Sequence, residues 1–309
     1  MNRRDRLDLL AFAVMFSLCL LWGFNQVLVK IANAGISPLL QAGLRSTGAG
    51  LLVWAWAAAR GIRMFDRDGS LIPGIVAGLL FAGEFALIFW GLEFTTASRT
   101  VIFIYTSPFV VALGAHLFVP GEKLRIVQVM GLIGAFAGVA FAFSSGLTLP
   151  THQQLIGDAM ILGGAVLWGA TTVLVKATRL ATITPAKTLF YQLAVSAIIL
   201  PPLSWALAEP GIFAPTIRVL TAFSIQMIVV AFASYLAWFW LVAHYPAGRL
   251  AAFTFLTPLF GVAAGWAILS EPISSDLILA LILVGTGIYL VNRPPLPAKP
   301  ITPELEELG

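Results

Sequence analysis

Charged residues are scarce in this sequence. Only 10% of its 309 residues are Asp, Glu, Lys or Arg, whereas an average soluble domain contains about 25%. Hydrophobic residues make up 59% of the chain, and the mean hydropathy is +0.94. Because so few charges cannot cover a soluble protein of this size, we expect most of the surface to face lipid. The net charge of +4 then gives no indication of a nucleic acid partner, and none is expected.

Cysteine and histidine are also rare. The single cysteine, Cys19, excludes an intramolecular disulfide and a cysteine-based metal cluster. The three histidines, His116, His152 and His244, are scattered, and no carboxylate–histidine spacing is typical of a metal site. A glycine-rich phosphate-binding loop is missing as well, which disfavours an ATP-driven pump. We therefore predict that the protein is not an enzyme and uses no catalytic residue, metal or cofactor.

Long apolar segments dominate what is present. A helix needs about 20 residues to cross the hydrocarbon core of a bilayer. Turn or charge signals separate ten segments of about this length. They cover residues 9–32, 38–60, 71–94, 98–119, 124–144, 156–177, 185–208, 217–243, 248–269 and 275–292. The fold class predicted from them is an all-α polytopic membrane protein with ten transmembrane helices.

The sequence is internally duplicated. Residues 21–30 (LWGFNQVLVK) and 167–176 (LWGATTVLVK) are similar, with Trp22 and Trp168 146 positions apart. Further matches follow at an offset of 150, including Arg99 with Arg249. Each copy opens a set of five apolar segments. Because five is odd, the second copy is expected to be inverted in the membrane, an arrangement that is typical of transporters.

The predicted organisation follows from this duplication. Residues 1–8 form a cytoplasmic N-terminus, 9–145 the first repeat, 146–155 a linker loop, 156–292 the second, inverted repeat and 293–309 a disordered cytoplasmic tail.

Basic residues predict the orientation of the chain. If the N-terminus is cytoplasmic, one face receives at most Lys30, Arg99 and Arg218. The cytoplasmic face then receives Arg3, Arg4, Arg6, Arg60, Arg63, Arg67, Lys123, Arg125, Arg179, Lys187, Arg249, Arg293 and Lys299. Since Lys and Arg accumulate in cytoplasmic loops, we expect both termini to be cytoplasmic.

Three repeated features carry a family resemblance. They are the Trp-Gly pairs Trp22-Gly23 and Trp168-Gly169, the prolines Pro108 and Pro258, and the loop acids Glu122 and Glu271. With them, residues 8–292 resemble the drug/metabolite transporter superfamily, in its ten-helix form made of two EamA-type repeats. Within that superfamily the chain is most similar to YddG-type exporters of aromatic and other amino acids.

The resemblance implies a carrier of the inner (plasma) membrane that works by alternating access. Its central cavity would be enclosed by helices 1, 3, 4, 6, 8 and 9. The expected partners are a small-molecule substrate and the lipid bilayer, and a monomer is the expected unit.

Polar residues in the middle of helices 1 and 6 are candidates for substrate contact. Polar side chains in a membrane helix are expected to face the interior of the bundle. The candidates are Trp22, Asn25 and Gln26 on helix 1 and Trp168, Thr171 and Thr172 on helix 6. The alternative interpretation is that these side chains only hold neighbouring helices together.

Two charges lie well inside predicted helices. Glu84 of helix 3 is a candidate for binding a substrate ammonium or a coupled proton, because an ionisable residue at such a depth is usually functional. Arg45 of helix 2 lies at a similar depth, so the alternative is a salt bridge that locks the two helices together. Their counterparts in the second repeat are Ser234 and Gln192.

Aromatic residues and prolines complete the candidate site. Tyr105, Tyr235 and Trp238 are predicted to line the cavity, where rings suit aromatic or cationic groups. Pro108 and Pro258 each remove a backbone hydrogen bond within a helix and are predicted hinges. For both sets the alternative is simple packing. Five glycines are predicted to let helices 5 and 10 pack closely: Gly131, Gly134, Gly138, Gly285 and Gly287.

The function predicted from the sequence is export of small metabolites by a secondary transporter, with amino acids, including aromatic ones, as the expected substrates. One alternative is a related carrier of another solute, such as a cationic drug, a purine or a sugar derivative. The other is a facilitative channel.

Overall fold

The computed structural model describes residues 4, 6–147, 149–269 and 276–293. Within these residues the chain is helical and contains no β-strand beyond one isolated bridge between Ile36 and Ile212. The predicted tail lies outside the described residues except for Arg293, as does the loop acid Glu271.

The described residues form ten helical spans, which follow one another in sequence. The uninterrupted helices of the first half are α1 (Leu9–Asn33), α2 (Pro38–Ala59), α3 (Leu71–Gly91) and α5 (Ile126–Ala142). Those of the second half are α6 (His152–Ala177), α7 (Pro185–Ala206), α8 (Ile217–His244) and α10 (Asp276–Asn292). Two spans are broken: α4 consists of Ala97–Ile104 (α4a) and Ser107–Phe118 (α4b), and α9 consists of Ala247–Phe253 (α9a) and Leu256–Leu269 (α9b).

Seven of these spans are long and apolar enough to cross a membrane by length and composition. Helices α5 and α10 are apolar but shorter, with 17 residues each. Helix α2 carries Gln41 and Arg45 and belongs to neither group. The predicted all-α, ten-helix membrane fold is confirmed, with helix ends displaced by a few residues.

The largest displacement is at the start of α6, four residues earlier than predicted. Thr151 accepts a hydrogen bond from the Gln154 backbone N–H at 3.2 Å, and the Gln154 side chain accepts one from the Thr151 N–H at 2.9 Å. This reciprocal pair is a capping box, which starts a helix before its apolar periodicity begins. The prediction relied on apolar periodicity and so placed the start too late.

Helix packing follows the duplication. In the first repeat α1, α3 and α4 are equivalent to α6, α8 and α9 of the second. Helix α1 packs against α9, and its equivalent α6 packs against α4. Likewise α1 packs against α8, and α6 packs against α3. The pairs α2–α7 and α5–α10 join equivalent helices of the two halves. The contact pattern is therefore unchanged when the two repeats exchange places, as expected for two related five-helix units.

Helices α5 and α10 form the closest contact between the repeats. A Cβ added to Gly131 would lie 2.7 Å from the Gly287 carbonyl oxygen, and one added to Gly138 would lie 2.9 Å from Leu283 Cβ. A Cβ on Gly287 would overlap the backbone of Gly131 and Ala135. The predicted close-packing role is correct for these three glycines. It is wrong for Gly134 and Gly285, which have no atom within 4 Å of an added Cβ, because both point away from the interface.

We expect Gly287→Ala to destabilise the protein by about 1–3 kcal/mol, because the added methyl group must push two packed backbones apart. Thermal unfolding in detergent measures the effect. The matched control, Gly285→Ala on the same helix, is expected to be neutral or slightly stabilising, because alanine is the better helix former. Equal melting temperatures for the two variants would contradict the assigned interface.

Candidate functional site

Five aromatic side chains from α1, α3 and α8 form a continuous group near the middle of these helices. The Trp22 ring centroid lies 5.6 Å from that of Trp238 and 6.4 Å from that of Tyr235. Tyr235 is 6.2 Å from Phe81, which is 4.9 Å from Phe85. All four contacts are edge-to-face, the arrangement that ring quadrupoles prefer. We call these residues the aromatic cluster; it contains three predicted candidates, Trp22, Tyr235 and Trp238, and two residues that the sequence analysis missed.

A hydrogen bond ties the cluster to α8. The Trp22 indole Nε1 donates to Ser234 Oγ at 2.9 Å, and the Ser234 hydroxyl donates to the Val230 carbonyl at 2.6 Å. Ser234 ends a π-helical segment, Gln226–Ser234, in the middle of α8. Such segments are frequent at functional sites. The sequence analysis treated α8 as a regular helix.

Arg45 and Glu84 lie beside the aromatic cluster and are both buried, with 4% and 7% of their surface exposed. The Arg45 guanidinium carbon is 4.8 Å from the centroid of the Phe85 ring, within cation–π range. Both charges also act electrostatically on the Tyr235 hydroxyl.

The two charges do not form the contact ion pair considered from the sequence. Among the ion pairs of the described residues none joins Arg45 to Glu84, because the guanidinium is held over Phe85 instead. Arg45 Nε and Nη2 and Glu84 Oε2 are buried without a hydrogen-bond partner. These atoms are exceptions to the rule that buried polar groups are paired, which makes both residues candidates for ligand contact.

The remaining two candidates on α1 differ in burial. Asn25 is half-buried, and its Oδ1 is buried without a partner. Gln26 is exposed and lies next to Gly261 of α9, so it does not join the aromatic cluster.

The two threonine candidates on α6 donate hydrogen bonds to backbone carbonyls of their own helix. Thr171 Oγ1 donates to the Leu167 carbonyl at 2.8 Å, and Thr172 Oγ1 donates to the Trp168 carbonyl at 3.4 Å. Both threonines are buried, which favours a packing role, whereas Trp168 is half-buried. The two tryptophan counterparts therefore differ, since only Trp22 has a side-chain acceptor on a neighbouring helix.

Tyr105 and the two prolines lie at the breaks of α4 and α9. Pro108 is the second residue of α4b, and Pro258 the third of α9b. Proline is tolerated in a first turn, where its missing N–H would have no partner anyway. Tyr105 is at the break itself and packs against Phe255 of the other break, with ring centroids 6.4 Å apart. Each proline thus follows a two-residue interruption of its helix, and its hinge role stays a prediction.

The loop acid Glu122 links the two repeats. Its Oε1 is 3.1 Å from Lys176 Nζ at the end of α6, and its Oε2 accepts a hydrogen bond from the Ala247 N–H at 2.7 Å. The Lys176 side chain is 2% exposed. Glu122 therefore holds the α4–α5 loop against the end of α6 and the start of α9.

A buried ion pair between Arg99 of α4a and Asp158 of α6 was missed by the sequence analysis. Arg99 Nε donates to the two carboxylate oxygens of Asp158 at 3.1 and 3.0 Å, and Thr95 Oγ1 donates to the same carboxylate at 2.6 Å. The available signal was an acidic residue inside the predicted apolar helix 156–177, where an unpaired charge would be costly. The pair ties α4a to α6 at the end of the bundle opposite Glu122.

A second network fastens the α2–α3 loop to α7. Lys187 Nζ contacts Asp68 Oδ2 at 2.8 Å and donates to the Asp66 carbonyl at 3.0 Å. The hydrogen bond from Lys187, reinforced by Ser70, holds the pKa of the Asp68 carboxyl well below its usual range. Asp68 therefore stays ionised at any physiological pH, and the network is a permanent structural link.

Comparison with known proteins agrees with the fold and with the repeats. The model of the EamA-like transporter family matches residues 9–144 and 155–293. The chain is 30% identical over 284 residues to the uncharacterized transporter YvbV of Bacillus subtilis (strain 168), covering 92% of this chain and 90% of the relative. It is 24% identical over 302 residues to a probable amino-acid metabolite efflux pump of Escherichia coli (strain K12), covering 94% and 95%.

A crystal structure with 21% sequence identity superposes with a TM-score of 0.78 and covers 90% of this chain and 94% of the other. At this identity the likeness shows a shared fold. The family match covers both halves of the chain, and its members are transporters and not enzymes. The chain therefore belongs to the EamA-like transporter family and is a multi-pass membrane transporter.

Proposed function

We propose that this transporter exports small zwitterionic metabolites, amino acids with apolar or aromatic side chains, across the inner membrane by alternating access. The observation that carries the proposal is the pair of separate, unpartnered charges beside the aromatic cluster. Glu84 would bind the substrate ammonium, Arg45 its carboxylate, and the rings its side chain. Two relatives named as probable amino-acid metabolite efflux pumps support this substrate class.

The separation of the two charges favours a zwitterion over other solutes. A buried charge without a partner is costly in a membrane. A zwitterion would neutralise both groups at once, whereas a cationic drug would be repelled by Arg45. Purines and sugar derivatives do not combine an ammonium group with a carboxylate, so they would not neutralise both Glu84 and Arg45.

The duplication suggests how Glu84 takes part in alternating access. In an inverted-repeat transporter, the oppositely open state arises when the two repeats move against each other around a fixed site. The repeat counterparts of Trp22 and Ser234 are Trp168 and Glu84. If the two repeats exchange conformations, the hydrogen bond from Trp22 to Ser234 is lost and a hydrogen bond from Trp168 to Glu84 forms in its place.

Helix contacts support this exchange. A Cβ on Gly164 of α6 would lie 3.4 Å from the Glu84 carbonyl oxygen, and a Cβ on Gly83 would lie 3.1 Å from Leu167 of α6. Trp168 lies one turn along α6 from Gly164, so the two residues share one face of the helix. In this scheme the breaks before Pro108 and Pro258 act as hinges, and residues 9–145 and 156–292 of one monomer are the moving units.

Glu84→Gln is expected to lower counterflow of phenylalanine in proteoliposomes by about tenfold or more, since a hydrogen bond to a charged group contributes about 1.5–3 kcal/mol. Arg45→Gln should impair phenylalanine but spare phenethylamine, which lacks the carboxylate. The control is Glu93→Gln in the exposed α3–α4 loop. Wild-type rates for Glu84→Gln would contradict the proposed site. Saturable flux without counterflow from any amino acid would contradict the substrate class, and flux that does not saturate would favour a channel.

The Trp168–Glu84 bond is expected to be visible by NMR of protein labelled with ¹⁵N at the indole nitrogens. The Trp168 resonance, assigned by its loss in Trp168→Phe, should move with pH as Glu84 titrates, and this movement should disappear in Glu84→Gln. The Trp22 resonance, assigned from Trp22→Phe, serves as the control because its acceptor is the uncharged Ser234. A Trp168 resonance that is independent of Glu84 would refute the exchange.

A fluorescent protein fused after Gly309 is expected to fluoresce, and alkaline phosphatase fused there to be inactive, because the charge asymmetry places the C-terminus in the cytoplasm. The converse is expected for fusions in the α5–α6 loop. Active phosphatase at the C-terminus would overturn the orientation.

A further inference from the structure

A cavity of about 240 Å³ lies at the end of the bundle where α4 and α6 finish and α9 begins. Five cations and one acid line it: Arg4, Lys123, Arg125, Lys176, Arg249 and Glu122. We call this cavity the basic pocket. The predicted orientation places it at the cytoplasmic face. Asp8, beside Arg4, is 14 residues from Trp22 along α1, or about 21 Å, so the basic pocket is separate from the aromatic cluster.

The single lining acid is already used within the protein. One oxygen of Glu122 contacts Lys176 and the other accepts the Ala247 N–H. Arg4 pairs with Asp8 outside the pocket, and Lys176 and Arg249 also make further contacts. Positive charge beyond these pairs comes from Lys123, which is exposed, and from Arg125, whose Nη2 donates to the uncharged carbonyl of Arg293.

Apolar side chains lie in and beside the pocket. Its lining also includes Ala112 of α4b, Leu132 of α5 and Val291 of α10. Phe118 ends α4b and Ile126 begins α5, and they are 66% and 72% exposed. Exposed apolar residues therefore flank the lining segment 120–125 on both sides in the chain.

We propose that the basic pocket binds the phosphate group of an anionic phospholipid from the cytoplasmic leaflet. Lys123 and Arg125 contact the headgroup phosphate, and the acyl chains lie against Phe118 and Ile126. Basic pockets between membrane helices on the cytoplasmic side are suited to such headgroups. The adjoining apolar surface is what distinguishes a lipid from a free phosphate compound, which has nothing to place there. Bound lipid would brace the contact of Glu122 with α6 and α9.

The test uses the full chain, purified and delipidated in detergent, and needs no transport assay. Native mass spectrometry and thermal unfolding are recorded with phosphatidylglycerol, with zwitterionic phosphatidylcholine, and with sn-glycerol 3-phosphate. We expect retained phosphatidylglycerol and a rise in melting temperature with this lipid alone. The Lys123→Gln/Arg125→Gln variant should bind it at least about tenfold more weakly, as expected when two phosphate contacts are lost.

Two further variants make the result decisive. Arg60→Gln/Arg67→Gln removes the same charge from exposed positions on the same face, outside the pocket, and should bind like the wild type. Lys123→Gln alone keeps the hydrogen bond from Arg125 Nη2 to the Arg293 carbonyl and should show an intermediate loss. Equal binding of phosphatidylglycerol by all variants, or equal binding of both lipids by the wild type, would overturn the proposal. Protection by sn-glycerol 3-phosphate without lipid binding would overturn the assignment to a lipid.

Discussion

The need to pair every polar group inside the protein is the constraint on which this structure depends. In lipid no water satisfies a free N–H or carbonyl group, so irregular backbone is tolerated only where protein or a cavity surrounds it. Both helix breaks contain buried residues, Tyr105 and Phe255, whereas the π-helical segment of α8 combines buried residues such as Ser234 with exposed ones such as Ile228. Arg99 and Asp158 satisfy the same rule by pairing with each other. Several buried polar atoms of the described residues have no hydrogen-bond partner, and among these residues Arg45 and Glu84 are the charged ones, which is why we propose them as substrate ligands.

The two repeats supply a common frame and use it differently. Their helices pack in equivalent pairs, so the frame is a property of the duplicated sequence. The polar residues of the candidate site lie at positions where the two repeats differ in sequence. Where the first repeat has Glu84, the second has Ser234, and that serine is the group that binds Trp22. Under the proposed exchange, a neutral acceptor in one half and a carboxylate in the other would make the two open states chemically unequal.

Sequence patterns predicted the helices well because each apolar segment must be about as long as the membrane is thick. They failed where polar capping residues extend a helix beyond its apolar segment, as at the capping box that starts α6 early. They also named Trp22, Tyr235 and Trp238 as candidates, and the structure brings these three rings together. The exposure of Gln26 was not predicted, because one residue of offset on a helix turns a side chain by about 100°.

The sequence by itself determined that this is a ten-helix membrane protein made of two related halves. The length and apolarity of each segment, and the similarity of the two halves, can be read from the residues without knowing how the helices pack. It also identified Glu84 and Arg45 as the charges that need an explanation. Only the tertiary structure decided where their side chains lie. Whether two charges at similar depth meet depends on the rotation of α2 and α3 about their axes, and that rotation is set by packing with α7 and α8. The same packing places the Arg45 guanidinium over the Phe85 ring, and no ion pair of the described residues joins it to Glu84.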